Sequence, residues 1–151
     1  MNELVQTELK KIFNVRFSTS ESTRANYARG EDTYEPVLSQ AVVFPETNEE
    51  VSKILKLCNE HNIKVVPQGG RTGLCGGTIP SENGKEIMLS LERMNNIKEL
   101  NEENFTITVE AGCILNNIQN ISISIPSNMW LYVKEHPSAF GLNSSFFYKC
   151  L

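Results

Sequence analysis

The chain has 151 residues, a mass of 17.0 kDa and a net charge of −4. With 40% apolar and 21% charged residues it has the make-up of one ordinary globular domain, not of a disordered or collagen-like chain. A net negative chain gives no support to nucleic-acid binding, which needs a basic face, and it contains no run of 18 apolar residues that could cross a membrane.

The N-terminus interleaves Glu3, Glu8, Lys10 and Lys11 with Leu4, Val5 and Leu9. A secretory signal would show a continuous apolar stretch, so a cytoplasmic chain is expected. Residues 2–13 instead carry apolar positions at helical spacing, which predicts a short amphipathic helix. Residues 18–36 read as polar and turn-like, punctuated by Gly30 and Pro36. Gln40 to Phe44 reads as a short strand ended by Pro45. Thr47 with Glu50 three residues on is a capping-box pattern, and Val51, Ile54, Leu55 and Cys58 form a stripe at i, i+3, i+4, i+7. A helix over 48–61 follows, stopped at Asn62. Lys64 to Pro67 reads as a buried strand, and Ile87 to Leu91 as another. Ile97–Leu100 and Phe105–Val109 flank the polar turn Asn101–Asn104, the pattern of a β-hairpin. After Gly112 the residues Ile114, Leu115 and Ile118 predict a further helix, and Ile121–Ile125 alternates like a strand.

Few residues offer catalytic or metal chemistry. The cysteines, Cys58, Cys75, Cys113 and Cys150, form no CxxC pair. Cys58 lies on the helical stripe and reads as a core residue. The histidines are His61 and His136 alone; His61 falls at a helix C-terminus, where a cation is favourable anyway. No metal site and no catalytic residue are assigned.

The chemical information sits in Gln68 to Gly77, which holds five of the nine glycines. Glycine can take positive φ and lets a ligand approach the backbone closely. Successive backbone N–H groups in such turns form a nest that suits phosphate, and Arg71 and Thr72 offer a charge and a hydroxyl. The spacing is not G-x-G-x-x-G, and no lysine precedes Thr78, so neither a Rossmann fingerprint nor a P-loop is present. By its residues alone the segment is either an anion-binding loop or a glycine-rich surface turn.

Pro67-Gln68-Gly69-Gly70-Arg71-Thr72-Gly73-Leu74-Cys75-Gly76-Gly77 resembles the first flavin-binding loop of FAD-linked oxidases of the vanillyl-alcohol oxidase (PCMH) type. The resemblance is to the branch with the glycolate oxidase FAD subunit, D-lactate dehydrogenase and D-2-hydroxyglutarate dehydrogenase. It extends to Ala41–Pro45, to Thr47–Asn62, to Ile87–Asn95 and to Thr108–Cys113. It implies an α+β fold: the first subdomain of a PCMH-type FAD-binding domain with part of the second, truncated. It implies three regions: a lead-in over 1–35, the partial flavin domain over 36–119 and a divergent tail over 120–151. It implies FAD held by Pro67, Gln68, Gly69, Gly70, Arg71, Thr72, Gly73, Leu74, Gly76 and Gly77. Many relatives carry Asn or Gly where this chain has Arg71. Some attach flavin through a loop histidine, which is absent here, so non-covalent binding is implied. The implied reaction is oxidation of a 2-hydroxy acid, with hydride passing to the flavin. The relatives' second glycine-rich flavin segment and substrate domain have no counterpart in the chain.

Residues 120–151 contain only Lys134, Glu135 and Lys149 as charged residues, yet half of the twelve aromatics. One reading is a tail translated out of frame, which makes the chain a non-catalytic gene remnant. Another is a self-contained protein whose C-terminal hairpin covers exposed core. A third is an interaction subunit completed by a chain that supplies the missing subdomain.

Overall fold

A computed structural model describes residues 3–13, 16–29, 37–71, 76–81, 83–101, 103–104, 106–114, 118, 130–134 and 145–149. Two compact units result, Met1–Met94 and Asn95–Leu151.

The first unit contains α1 (Glu3–Phe13), β1 (Phe17–Ser18), α2 (Glu21–Tyr27), β2 (Ala41–Val43), α3 (Asn48–Glu60), β3 (Val65–Gln68) and β4 (Ile87–Ser90). Its sheet has the order β1-β2-β4-β3. β2, β4 and β3 run parallel, with Val42↔Met88 and Val66↔Met88 in register, and β1 adds an antiparallel edge. Parallel strands covered on both faces read as apolar runs. Accordingly β2 and β4 are buried throughout.

Side chains alternate across a strand, so the sheet carries two cores. Val43, Ile87 and Leu89 join Leu9 of α1 and Ile54, Leu57 and Cys58 of α3 on one face. Val42 and Met88 join Tyr27 of α2 on the other, with Phe44 and Val66 packed alongside. Cys58 is thus a core residue, and burial pushes its thiol up to about 11.

α3 is specified at both ends. Thr47 Oγ1 accepts the Glu50 N–H at 3.2 Å. Glu50 turns back to accept the Glu46 N–H at 2.7 Å and pairs with Arg16. Burial raises the Glu50 carboxyl, but those donors outweigh it and hold it below its usual value. At the other end Asn62 takes φ 52°, its N–H reaches Asn59 O at 3.2 Å, and the Ile63 N–H reaches Cys58 O at 2.7 Å. This is a Schellman stop with asparagine at the left-handed position.

The stretch expected to be turn-like contains α2. Ser20 caps it, accepting the Thr23 N–H at 3.3 Å. Seven residues with a single buried side chain show no periodicity, which is why the helix is not legible in the sequence.

The second unit contains β5 (Ile97–Asn101), β6 (Thr106–Val109), β7 (Trp130–Lys134) and β8 (Ser145–Lys149). β5 and β6 form the expected antiparallel hairpin, closing with Asn101 opposite Thr106. Asn101 Oδ1 accepts the Asn104 N–H at 2.9 Å within the turn. β7 and β8 pair antiparallel, from Trp130↔Lys149 to Lys134↔Ser145. The helix expected after Gly112 depends on residues 115–117, outside the described residues, as does the strand expected at Ile121–Ile125.

Candidate functional site

The glycine loop follows from the strand order. β3 and β4 are neighbours and parallel, so the chain must return from the C-terminal end of one to the N-terminal end of the other. Residues 69–86 make that return, with no helix among the described ones. The loop therefore leaves the C-terminal end of the parallel strands, where open α/β sheets bind ligands. Pro67 lies on β3, an edge strand, where a missing N–H is tolerated.

Gln68 is the buried residue of the loop stem. Its Nε2 donates to Tyr27 O at 2.8 Å and to Thr78 O, so one carboxamide ties both ends of the loop to α2. Its Oε1 is buried and has no hydrogen-bond partner among the described residues. Such an acceptor is costly unless a donor reaches it.

Gly69, Gly70 and Arg71 begin the loop. A Cβ at Gly70 or at Gly77 would meet nothing within 4 Å, so open space lies beside the backbone at both ends. Gly76 needs to be glycine for its conformation, φ +75°. Thr72, Gly73 and Leu74 lie outside the described residues, as does Cys75.

Arg71 adopts φ 60°, a left-handed conformation that costs a non-glycine residue about 1 kcal/mol. Two contacts hold it there. Its Nη1 donates to Asn26 O at 3.2 Å, and its guanidinium lies 4.7 Å from the centre of the Tyr27 ring. The Tyr27 hydroxyl donates to Glu92 Oε2 at 2.6 Å, and the ring meets Phe44 edge-on at 5.4 Å. Burial pushes the Tyr27 hydroxyl up to about 12, and the hydrogen bond to Glu92 and its charge add to this. Tyr27 and Glu92 were not among the residues singled out by sequence. Nothing local marks either; strand order and α2 bring them to the loop.

The residues fit a phosphorylated, hydroxyl-bearing ligand. The loop supplies open backbone, Arg71 supplies a cation, and Gln68 Oε1 supplies a buried acceptor. Among the described residues no group of His, Cys, Asp and Glu could hold a metal ion. No described helix is long and apolar enough to cross a membrane.

Fold and loop together define an α/β unit with a glycine-rich loop at the C-terminal end of its parallel strands, and comparison with known proteins gives the class. Residues 39–124 match the family model described as "FAD binding domain", and the chain belongs to that family. It is 40% identical over 98 residues to the glycolate oxidase subunit GlcD of Bacillus subtilis, covering 65% of this chain and 20% of that protein. It is 35% identical over 138 residues to the mitochondrial D-lactate dehydrogenase [cytochrome] of Arabidopsis thaliana, covering 90% of this chain and 21% of that protein. The matches cover 14% to 21% of the length of curated relatives such as these. Its fold superposes on p-cresol methylhydroxylase with a TM-score of 0.71 at 21% identity, over 80% of this chain and 24% of the other. The mixed helix and sheet of the PCMH-type fold is therefore the observed fold.

Proposed function

We propose that these 151 residues are the diphosphate-holding part of an FAD-dependent oxidoreductase acting on 2-hydroxy acids of the glycolate, D-lactate or D-2-hydroxyglutarate type. The observation that carries this reading is the glycine loop at the C-terminal end of the parallel strands, with open space beside Gly70 and Gly77. In this reading the backbone of Gly69, Gly70, Thr72, Gly73, Leu74, Gly76 and Gly77 holds the pyrophosphate. Pro67 fixes the path into the loop, Arg71 supplies charge, and Gln68 ties the loop and accepts a hydrogen bond. Bound FAD would supply the hydride acceptor. Binding is non-covalent, since no histidine lies in the loop.

The substrate class is taken from the relatives' names. No residue of this chain is assigned as the catalytic base or as the clamp for the substrate carboxylate. The lead-in over 1–35, the flavin domain over 36–119 and the tail over 120–151 are proposed as the working division, in the cytoplasm. The remnant reading is less favoured, because a match over 90% of the chain necessarily runs past residue 119.

The test is visible absorption. The purified chain incubated with FAD and freed of excess should keep a flavin spectrum. Gly70→Leu should remove it without changing the unfolding midpoint, because its side chain enters open space. A wild-type chain that retains no flavin would falsify the reading.

A further inference from the structure

We infer that Tyr27 is a positioning residue for the loop, acting through Arg71 and Gln68; the identity of the ligand rests on the flavin reading above. Tyr27 lies far from the loop in sequence, at the last position of α2. Three of its groups nevertheless hold the loop and the strand beside it. Its carbonyl accepts from Gln68 Nε2, whose other bond reaches Thr78 on the far side of the loop. Its ring carries the Arg71 guanidinium at 4.7 Å. Its hydroxyl donates to Glu92, just beyond the C-terminal end of β4.

These contacts reinforce one another. A phenol that donates to a carboxylate gains electron density in its ring, and a more negative ring face holds a cation better. The Arg71 backbone is left-handed and needs an external hold to stay so. Stacking provides that hold while leaving the charge intact. Of the five N–H donors of a guanidinium, the hydrogen bond described for Arg71 uses one. A loop ordered before the ligand arrives loses less freedom on binding. Tyr27 therefore sets where the Arg71 guanidinium stands, although it is not part of the loop.

The test uses the whole chain and two readouts. The first is amide hydrogen exchange without ligand, followed over 68–78 and over β2 and β4. Tyr27→Leu keeps the bulk but removes the ring, and should speed exchange over 68–78 about threefold to fivefold. Arg71→Gln keeps the backbone strain but removes the charge, and should do the same. The double variant should be no faster than either single one, and Tyr27→Phe, which keeps the ring but loses the bond to Glu92, should fall between wild type and Tyr27→Leu. The idea is overturned if β2 and β4 speed up equally, if 68–78 does not respond, or if the two substitutions multiply. Should Tyr27→Leu not fold, Arg71→Gln decides alone: no change over 68–78 overturns the inference. The second readout is FAD titration, where Tyr27→Leu and Arg71→Gln should weaken binding by similar factors. Should the exchange pattern hold while the wild-type chain takes up no FAD, positioning stands and the flavin reading falls.

Discussion

Tyr27 is placed by tertiary structure, and its hydroxyl reports on that placement. The folded chain favours the neutral phenol, so its pKa rises from 10.0 to about 12. The stability this contributes is complete below pH 10 and is lost as the pH rises toward 12. Tyr27→Phe should flatten that alkaline decline in a series of urea melts across the interval. Gly84 is a second residue whose role comes from its surroundings. It takes φ +59°, and a Cβ there would stand 2.5 Å from Leu38 O. Gly84→Ala should cost about 2–3 kcal/mol, the sum of a left-handed alanine and a backbone clash, read as a lower denaturant midpoint. The Asn83-Gly84 pair marks a turn in the sequence, but not the close approach of Leu38 O, which only the fold creates.

At the scale of the element, α3 was legible because its signals are local. The cap, the stripe and the stop lie within residues 47–62 and depend on little else. Thr47→Ala should cost about 1 kcal/mol by removing the acceptor for the Glu50 N–H. Asn62→Gly should be neutral or slightly stabilising, since glycine accepts the left-handed position more readily than asparagine. Thermal melts of the two variants should therefore move differently. α2 is the counterexample: about two capped turns, held by Tyr27 against Val42 and Met88. Its stability comes from a contact with strands that follow it in sequence, so neither periodicity nor propensity could show it.

For the whole molecule, both cores and all four strands of the larger sheet fall within residues 1–94. That span expressed alone should unfold cooperatively, with matching circular-dichroism and fluorescence midpoints; a gradual or absent transition would contradict it. The two hairpins of the second unit carry no comparable described core, and β5 is exposed along most of its length. A two-stranded ribbon is marginal by itself.

The amino-acid sequence by itself determined β2, β3, β4, α1, α3, the first hairpin and the place of the glycine loop. Apolar period, capping residues and glycine content are local properties that a linear reading can detect. It also carried the family, because spaced motifs in order survive where single residues vary. Only the tertiary structure decided that β4 lies between β2 and β3, and so where the loop emerges. It also decided that Gln68 turns inward as a clamp and that Arg71 stands on Tyr27 beside Glu92. Those outcomes depend on which distant segments meet, and a side chain's hydrogen-bond partners and burial exist only once they have met.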